Sequence, residues 1–269
     1  MDTNRLTAAN KRALILWVVA GILGALFAYK YYFRAFPEAS VNFKVSRGEA
    51  LTRARQFLSG LGEDAGSYQS AIVFNVDDNA KTYLERETGL ETANQLMSSE
   101  LNIWYWDVRF FKPQQEEEFR VRVSPAGQIV GYQHHVEEAR AGATLERAAA
   151  QNVAEIFLED KLNVKSGWEL LPEESNSTKR PNRLDWSFTW EKRGFRAKDA
   201  PYRLNVVVQG DRIGSSEEYL KVPEAWERSY KQLRSTNFLY NQIAIIPYIL
   251  LMGSALWVGI SLWRNGQAD

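Results

Sequence analysis

Two long apolar segments near the ends of the chain determine its organisation. Ala13 to Tyr29 runs for 17 residues without a charged side chain, and Leu239 to Trp263 runs for 25. At about 1.5 Å per residue the first spans about 26 Å, and a bilayer core is about 30 Å thick. Tyr31, Tyr32 and Phe33 add the missing turn. We predict transmembrane helices over residues 13–35 and 238–263, with tails at residues 1–12 and 264–269.

The first apolar segment has the features of an uncleaved signal anchor. A cleaved signal peptide is the competing interpretation, but the run is long for one, and aromatic residues stand where a small-residue cleavage site is expected. Lys30 and Arg34 can reach toward lipid headgroups. Small residues at a spacing that suits helix pairing are Ala20, Gly21, Gly24 and Ala25. Whether they pack against another helix is left open by the sequence.

The second apolar segment contains Pro247, which kinks or loosens a helix and is tolerated in membranes. Aromatic residues typical of the membrane interface occur at both ends: Phe238, Tyr240, Trp257 and Trp263. A buried helix of a soluble protein is the alternative, and 25 uncharged residues argue against it. The proline and the short tail lead us to expect a truncated chain, in which this helix is the first span of a larger membrane region.

The orientation follows from the number of spans and from the N-terminal tail. Two spans place both termini on one side of the membrane and the central region on the other. Basic residues flank the first span on both sides, so charge counting alone does not decide which side: Arg5, Lys11, Arg12, Lys30, Arg34, Lys44 and Arg47. A short basic tail before a signal anchor favours a cytoplasmic N-terminus. We expect a two-pass membrane protein with an extracytoplasmic central region.

A helical pattern occurs twice between the spans. Ser46 to Leu58 opens with the capping-box pair Ser46 and Glu49, and Thr144 to Leu158 opens with Thr144 as its expected cap. The apolar positions recur at an offset of 100: Ala50, Ala54, Phe57 and Leu58, then Ala150, Ala154, Phe157 and Leu158. We predict two copies of one unit, residues 36–140 and 141–237, joined near Ala139–Ala143.

Strands with alternating apolar and polar residues follow each helix. They are predicted over Trp104–Phe110 and Phe119–Val123 in the first copy, and over Trp186–Trp190 and Tyr202–Val208 in the second. Turns at Pro125–Gly127 and Gly210–Asp211 precede a further short strand. A helix on a three- or four-stranded antiparallel meander, repeated, gives an α+β fold. We expect the helix to cover one side of each sheet and arginines to occupy the other.

The two copies differ in their middle parts. Asp77 to Ser98 is predicted to be a helical insertion in the first copy, with a break at Gly89. Ser175 to Arg183 is predicted to be a polar loop in the second copy. It contains a glycosylation-type sequence at Asn176, which matters only in a eukaryotic source.

The composition excludes several classes of protein. The chain has 33 basic and 33 acidic residues, whereas a nucleic-acid-binding protein normally has a basic excess, so we expect no nucleic-acid partner. It has no cysteine, which excludes disulfides, thiolate catalysis and cysteine-ligated metal sites. The sequence also lacks a nucleophile elbow, a glycine-rich phosphate loop and an H-E-x-x-H motif.

Few residues are candidates for chemistry. The only histidines, His134 and His135, are adjacent, and neighbours on a strand point to opposite faces, so they cannot easily share a metal. We interpret them as a surface strand pair. A basic surface could form from Arg109, Lys112, Arg120 and Arg122, but acidic residues alternate with them, which favours a solvated sheet face. We predict no catalytic, cofactor-binding or metal-ligating residue and no cofactor.

Several stretches resemble the region that precedes the protease in some bacterial CPBP-family proteins, the CAAX-protease-like intramembrane metalloproteases. They are Phe36–Leu51, Asp77–Glu91, Glu117–Glu138, Pro181–Glu191 and Tyr219–Arg228. The unit that opens with S-R-G-E-A-L at Ser46 is similar to a PepSY module, a type of regulatory or inhibitory domain that accompanies peptidases. The resemblance covers Phe36 to Trp263. It does not include the protease, whose glutamate pair, membrane histidines and further spans have no counterpart here.

One motif of that family occurs by spacing alone. Glu117, Glu118 and Arg122 fit E-E-x-x-x-R, which in the family belongs on a membrane-embedded helix beside a histidine-bound metal. Here the motif opens a predicted soluble strand, and the sequence positions no histidine to help. We interpret it as a coincidence.

The resemblance implies a non-catalytic accessory region in the inner membrane of a bacterium. Such a region would be anchored in the lipid bilayer and would bind a peptide or protein partner on the extracytoplasmic face, or restrain the protease. The alternative is a complete two-span sensor, or an assembly subunit of a larger membrane complex.

Overall fold

The structure, a computed structural model, describes residues 8–36, 41–164 and 166–265. Its helices are α1 (Ala8–Ala35), α2 (Arg47–Gly60), α3 (Asp78–Thr88), α4 (Leu90–Ser99), α5 (Arg147–Asp160) and α6 (Glu224–Arg264). Its strands are β1 (Gln69–Val76), β2 (Trp104–Phe111), β3 (Glu118–Val123), β4 (Ile129–His135), β5 (Trp168–Leu170), β6 (Asn176–Arg180), β7 (Arg183–Ala197), β8 (Ala200–Gln209) and β9 (Arg212–Leu220). The chain divides after Lys221 into two units.

Two of the helices are long and apolar enough to cross a membrane. They are Asn10–Tyr32 within α1 and the helix Glu224–Arg264, which contains Pro247. The prediction of two apolar helices that bracket a central α+β region is confirmed, and this arrangement is consistent with a two-pass membrane protein. The helix α6 begins several turns before its apolar stretch. In these first turns, ion pairs between residues four apart join Glu224 to Arg228 and Glu227 to Lys231.

The nine strands form one continuous antiparallel sheet. Its order is β1-β2-β3-β4-β9-β8-β7-β5, and β6 pairs with β7 beside β5. The sequence led us to expect a separate sheet in each copy. Instead, β4 and β9 pair with each other, and Tyr132 lies opposite Ser216 at the centre of the joint. We call α2 to β4 the first half of the domain and α5 to β9 the second half. Strands β4 and β9, which would be exposed edges if each half formed its own sheet, therefore join the halves.

Helices α2 and α5 pack side by side on one face of this sheet. The apolar residues of α2 lie on β2 and β3, and those of α5 lie on β7, β8 and β9. Phe57 contacts both core clusters, with ring centroids 5.5 Å from Tyr132 and 6.4 Å from Phe157. The predicted inward positions that are buried are Ala50, Ala54, Leu58, Ala150, Ala154, Phe157 and Leu158. The other face of the sheet carries polar and charged side chains; we call it the open face.

The ends of the two packed helices differ from one another. The side chain of Ser46 accepts a hydrogen bond from the N–H of Glu49 and completes the predicted capping box. The prediction of Thr144 as the second cap is wrong, because α5 begins at Arg147 and no side chain caps it. The residues before it are held to β7 instead: Leu184 N–H donates to the Ala143 carbonyl, and Trp186 Nε1 donates to the Leu145 carbonyl at 2.9 Å.

The two middle segments also differ from one another. The insertion in the first half is helical as predicted, with α3 and α4 separated by Gly89 at φ 79°. The polar loop predicted over Ser175–Arg183 is wrong, because β6 occupies Asn176–Arg180 and pairs with β7. This strand lies at an edge with almost every residue exposed, so it needs no apolar alternation and gives none in the sequence.

The insertion of the first half is bonded to the second half. The hydroxyl of Tyr83 donates to the Ala197 carbonyl at 3.3 Å and accepts from the N–H of Asp199. The N–H of Asn102 donates to the hydroxyl of Tyr202 at 3.1 Å. These contacts connect the halves in addition to the β4–β9 joint and to the packing of Phe57 against Phe157.

Candidate functional site

The two histidines occupy different environments. His135 is exposed on the open face, with Nε2 3.5 Å from a carboxylate oxygen of Glu116. His134 is 4% exposed on the helix side of the sheet, where it stacks on Phe119 with ring centroids 4.3 Å apart. The expectation that the pair points to opposite faces is confirmed. The expectation that both lie on the surface is wrong for His134.

A small polar cluster surrounds His134. Its Nε2 lies 2.7 Å from Oε1 of Glu117, which also accepts a hydrogen bond from Arg140. Its Nδ1 lies 4.0 Å from a carboxylate oxygen of Glu63. The statement that no histidine is positioned beside the E-E-x-x-x-R motif is therefore wrong, because pairing of β3 with β4 brings His134 to Glu117. Among the described residues, no group of three or more His, Asp and Glu is arranged to hold a metal ion.

The cluster around Glu117 favours its charged form. Burial works to raise the pKa of this carboxyl, but hydrogen bonds from Arg140 and His134 outweigh it and lower the pKa below its ordinary value. A carboxylate that already accepts hydrogen bonds from two side chains is a poor general base, because both interactions stabilise the unprotonated form. The geometry therefore matches a charge-paired link between β3, β4 and the segment around Arg140.

The arginines of the open face are paired with acidic residues. Arg109 Nε donates to Glu118 at 2.7 Å, and Arg120 lies 3.6 Å from Asp107 and 3.4 Å from Glu118. Burial works to raise the pKa of Glu118, but Arg109 and Arg120 lower it overall. Lys112 lies away from this group, over the ring of Tyr68 at 4.3 Å. The structure therefore supports the interpretation of a solvated, charge-balanced sheet face and not that of a basic binding surface.

A polar cleft lies at the joint between the halves. It has a volume of about 310 Å³, and the residues that line it include Asp77, Tyr105, Arg122, Glu217, Glu218 and Tyr219. Arg122 forms an ion pair with Glu217 and lies 4.7 Å from the centre of the Tyr105 ring. We call this region the joint cleft. The sequence does not predict this cleft, because its residues come together only when β4 pairs with β9.

A single glycine permits the central contact of the joint cleft. Arg122 and Gly131 are directly opposite in β3 and β4, and Glu217 follows in β9. A Cβ on Gly131 would lie 2.9 Å from Cδ and 3.2 Å from Cβ of Arg122. Arg122 therefore reaches Glu217 by crossing a strand at a position where no side chain stands. Glycine inside a strand often marks such a close approach, and this was the signal available in the sequence.

Two carboxylates of the joint cleft have further partners. Asp77 accepts hydrogen bonds from the N–H groups of Asn79 and Ala80, both at 3.1 Å, and so caps α3. Burial raises the pKa of Asp77, although these two bonds work to lower it. Glu218 accepts from the Tyr202 hydroxyl at 2.7 Å and from Asn102 Nδ2 at 2.9 Å. Both groups support the structure of the insertion and its attachment to the second half.

Comparison with known proteins does not place the chain in a family. No protein-family model matches the chain, and no curated protein matches it. Among solved structures, the Bacillus megaterium YpeB C-terminal domain is similar at 14% sequence identity and a TM-score of 0.40. The match covers 64% of this chain and 62% of that one. A similarity at this level identifies neither a family nor a function.

Proposed function

We propose that the chain is a two-pass protein of the bacterial inner membrane whose central domain lies outside the cytoplasm and binds a peptide or protein partner without catalysing a reaction. The observation that carries this proposal is the order of elements. A folded α+β domain stands between two helices that are apolar enough to cross a membrane. A short basic tail before the first helix supports a cytoplasmic N-terminus.

We also propose that the two halves of the domain are copies of one PepSY-like unit. In each half a helix is followed by a strand, an insertion and three antiparallel strands, and the helix lies on the same face of the sheet. The recurrence of Ala50, Ala54 and Leu58 at an offset of 100 supports this proposal, since the corresponding residues are buried in both helices.

The non-catalytic role is supported by the state of the ionisable groups. Glu117 accepts hydrogen bonds from His134 and Arg140, Asp77 caps a helix, and Glu218 accepts hydrogen bonds from Tyr202 and Asn102. Each of these groups is therefore engaged in a bond that stabilises the fold. As the accessory region of an intramembrane metalloprotease-like protein, the domain would bind a substrate or partner segment or restrain the protease, which fits the sequence resemblance. A two-span sensor or an assembly subunit of a larger membrane complex is the alternative.

Reporter fusions test the topology. An enzyme that is active only outside the cytoplasm, fused at Gly142, is expected to give signal, and the same fusion at Asp269 is expected to give none. Equal signals at both sites would refute the two-pass arrangement.

The relation to a protease is tested separately at the level of the gene. A reading frame that continues past Asp269 into further spans, with an embedded E-E-x-x-x-R motif and histidines, is the expected result. A stop codon with no such gene nearby would favour the sensor or assembly subunit.

A further inference from the structure

The two edges of the nine-stranded sheet are built differently. One edge ends in β5, which has three residues, and in β6, which carries Lys179 and Arg180. The other edge is β1, which has eight residues and the sequence QSAIVFNV, with neither a charge nor a proline. Short length, charge, proline and bulges are the usual devices that prevent an edge strand from pairing with another chain. By these criteria one edge is protected and the other is not.

The pairing of β1 with β2 is regular over its whole length. Eight consecutive residue pairs join the strands without a shift in register. Among the described residues, the only strand paired with β1 is β2. The outer edge of β1 is therefore straight, and no described strand occupies it.

The direction of the outward backbone groups follows from one hydrogen bond. Asp77 N–H donates to the Ile103 carbonyl at 2.9 Å, which continues the β1–β2 register by one pair. Bonded and non-bonded pairs alternate in an antiparallel ladder, so Ser70, Ile72 and Phe74 direct their N–H and C=O groups away from β2. Val76 belongs to the same set, and its N–H is bonded to Oδ1 of Asn75 at 3.0 Å. The free edge therefore runs from Ser70 to Phe74.

The side chains along this free edge are uncharged on both faces. On the open face Val73 is 62% exposed. On the helix side Phe74 packs against Phe43, with ring centroids 4.7 Å apart, and Phe43 is 50% exposed. A strand added here would contact aliphatic and aromatic side chains on the helix side. Charged side chains in that strand would lose solvent without gaining a partner.

We propose that the outer edge of β1 is the docking site for the partner, and that the partner is an extended segment of another polypeptide with apolar residues at alternate positions. This deepens the function proposed above, since it assigns the site and the chemistry of the partner. Backbone hydrogen bonds to Ser70, Ile72 and Phe74 supply much of the affinity, and contacts with Phe43 and Phe74 on the helix side select apolar side chains at alternate positions.

The experiment uses the full chain in lipid nanodiscs and a synthetic peptide of alternating valine and threonine with lysines at its ends. Hydrogen exchange read by mass spectrometry is expected to slow in residues 69–76 when the peptide is added. Val73→Lys places a charge in the middle of the edge and is expected to weaken binding about tenfold. Thr178→Lys makes a similar change on β6, at the other edge, and is expected to leave binding unchanged. Ala71→Lys, on the same face as Val73, repeats the test if the first variant folds poorly.

Three results would overturn the proposal. The first is slowed exchange in β6 or elsewhere but not in β1, and the second is unchanged affinity in both β1 variants. The third is slowed exchange in β1 that depends on protein concentration without the peptide, because the occupant would then be a second copy of this chain. The reporter fusions are independent of all three, so a failure of this proposal is distinguishable from a failure of the proposed topology.

Discussion

The guanidinium of Arg122 on β3 crosses over Gly131 of β4 and pairs with Glu217 of β9. Arg122 and Glu217 are 95 residues apart in sequence and belong to different halves of the domain. Their contact exists because β4 and β9 are neighbours and because Gly131 has no side chain. Gly131 therefore permits this contact across the joint, although it is not a member of the ion pair.

Gly131→Ala is expected to destabilise the central domain by about 1–2 kcal/mol. The new methyl group would lie 2.9 Å from Cδ of Arg122 and would also crowd its Cβ, so the side chain must leave its path to Glu217. Denaturant unfolding followed by tryptophan fluorescence measures the loss. Gly48→Ala is the matched control, because that glycine lies in α2 with no atom within 4 Å of the new methyl group. An equal effect of both substitutions would contradict this account of Gly131.

Asp77→Ala is expected to cost about 1 kcal/mol, the usual value of a helix cap. The side chain accepts two backbone N–H bonds at the start of α3 and cannot be replaced by a methyl group. Asp77→Asn keeps an acceptor oxygen and removes a charge whose burial is unfavourable, so its unfolding free energy is expected to stay close to that of the natural chain. Equal losses in the two variants would show that capping is not the role of Asp77.

The pKa of Glu117 leads to a prediction about acid stability. Since folding lowers this pKa below its ordinary value of 4.5, the carboxylate stabilises the folded state above pH 4.5, and this stabilisation is lost as the pH falls below that value. In Glu117→Gln the unfolding free energy is expected to fall less steeply between about pH 5 and pH 3. Unfolding curves across this range provide the measurement. Identical slopes for the variant and the natural chain would exclude Glu117 as a source of the acid sensitivity.

Leu250→Arg tests whether the second apolar helix enters the membrane. Arginine at the centre of a span costs about 2.5–3.5 kcal/mol on insertion scales, so the fraction of chains that insert this helix is expected to fall. Protease protection of a C-terminal tag reports that fraction. Ser229→Arg makes the same change in the polar first turns of α6 and is expected to leave insertion unchanged. Equal insertion of the natural chain, Leu250→Arg and Ser229→Arg would count against a membrane location for α6.

The features that the sequence predicts well are those with local causes. The capping box at Ser46 and the break at Gly89 depend on neighbouring residues, and alternation places the inward residues of β2, β3 and β8 correctly. Thr144 fails as a cap because residues 143–145 are held to β7, whose position along the chain is remote. Strand β6 is missed because an exposed edge strand requires no apolar face.

The candidate sites depend on pairings that no single segment encodes. The two histidines are assigned to opposite faces correctly by alternation. The burial of His134 and its bond to Glu117 require β3 and β4 to be in register. The joint cleft requires the further pairing of β4 with β9, which joins two segments that the sequence suggested were in separate sheets. Glycine at position 131, within a strand, was the one local indication of it.

The most direct test of the account is an engineered disulfide across the joint. Gln133 and Ser215 lie directly opposite each other in β4 and β9, at a separation of about 4.5–5.5 Å between Cα atoms, which a disulfide can bridge. The chain has no cysteine, so Gln133→Cys with Ser215→Cys introduces the only two thiols. Gln133→Cys with Ser187→Cys is the control, because Ser187 lies on β7 with β9 and β8 between.

In bacteria with an oxidising periplasm, we predict that the Gln133 and Ser215 pair forms a disulfide without added oxidant and that the control pair does not. That result would support both the continuous sheet and the extracytoplasmic location of the domain. A pair that stays reduced in cells but closes in purified protein with oxidant would contradict the location. A pair that does not close even in the purified protein would contradict the joint between β4 and β9.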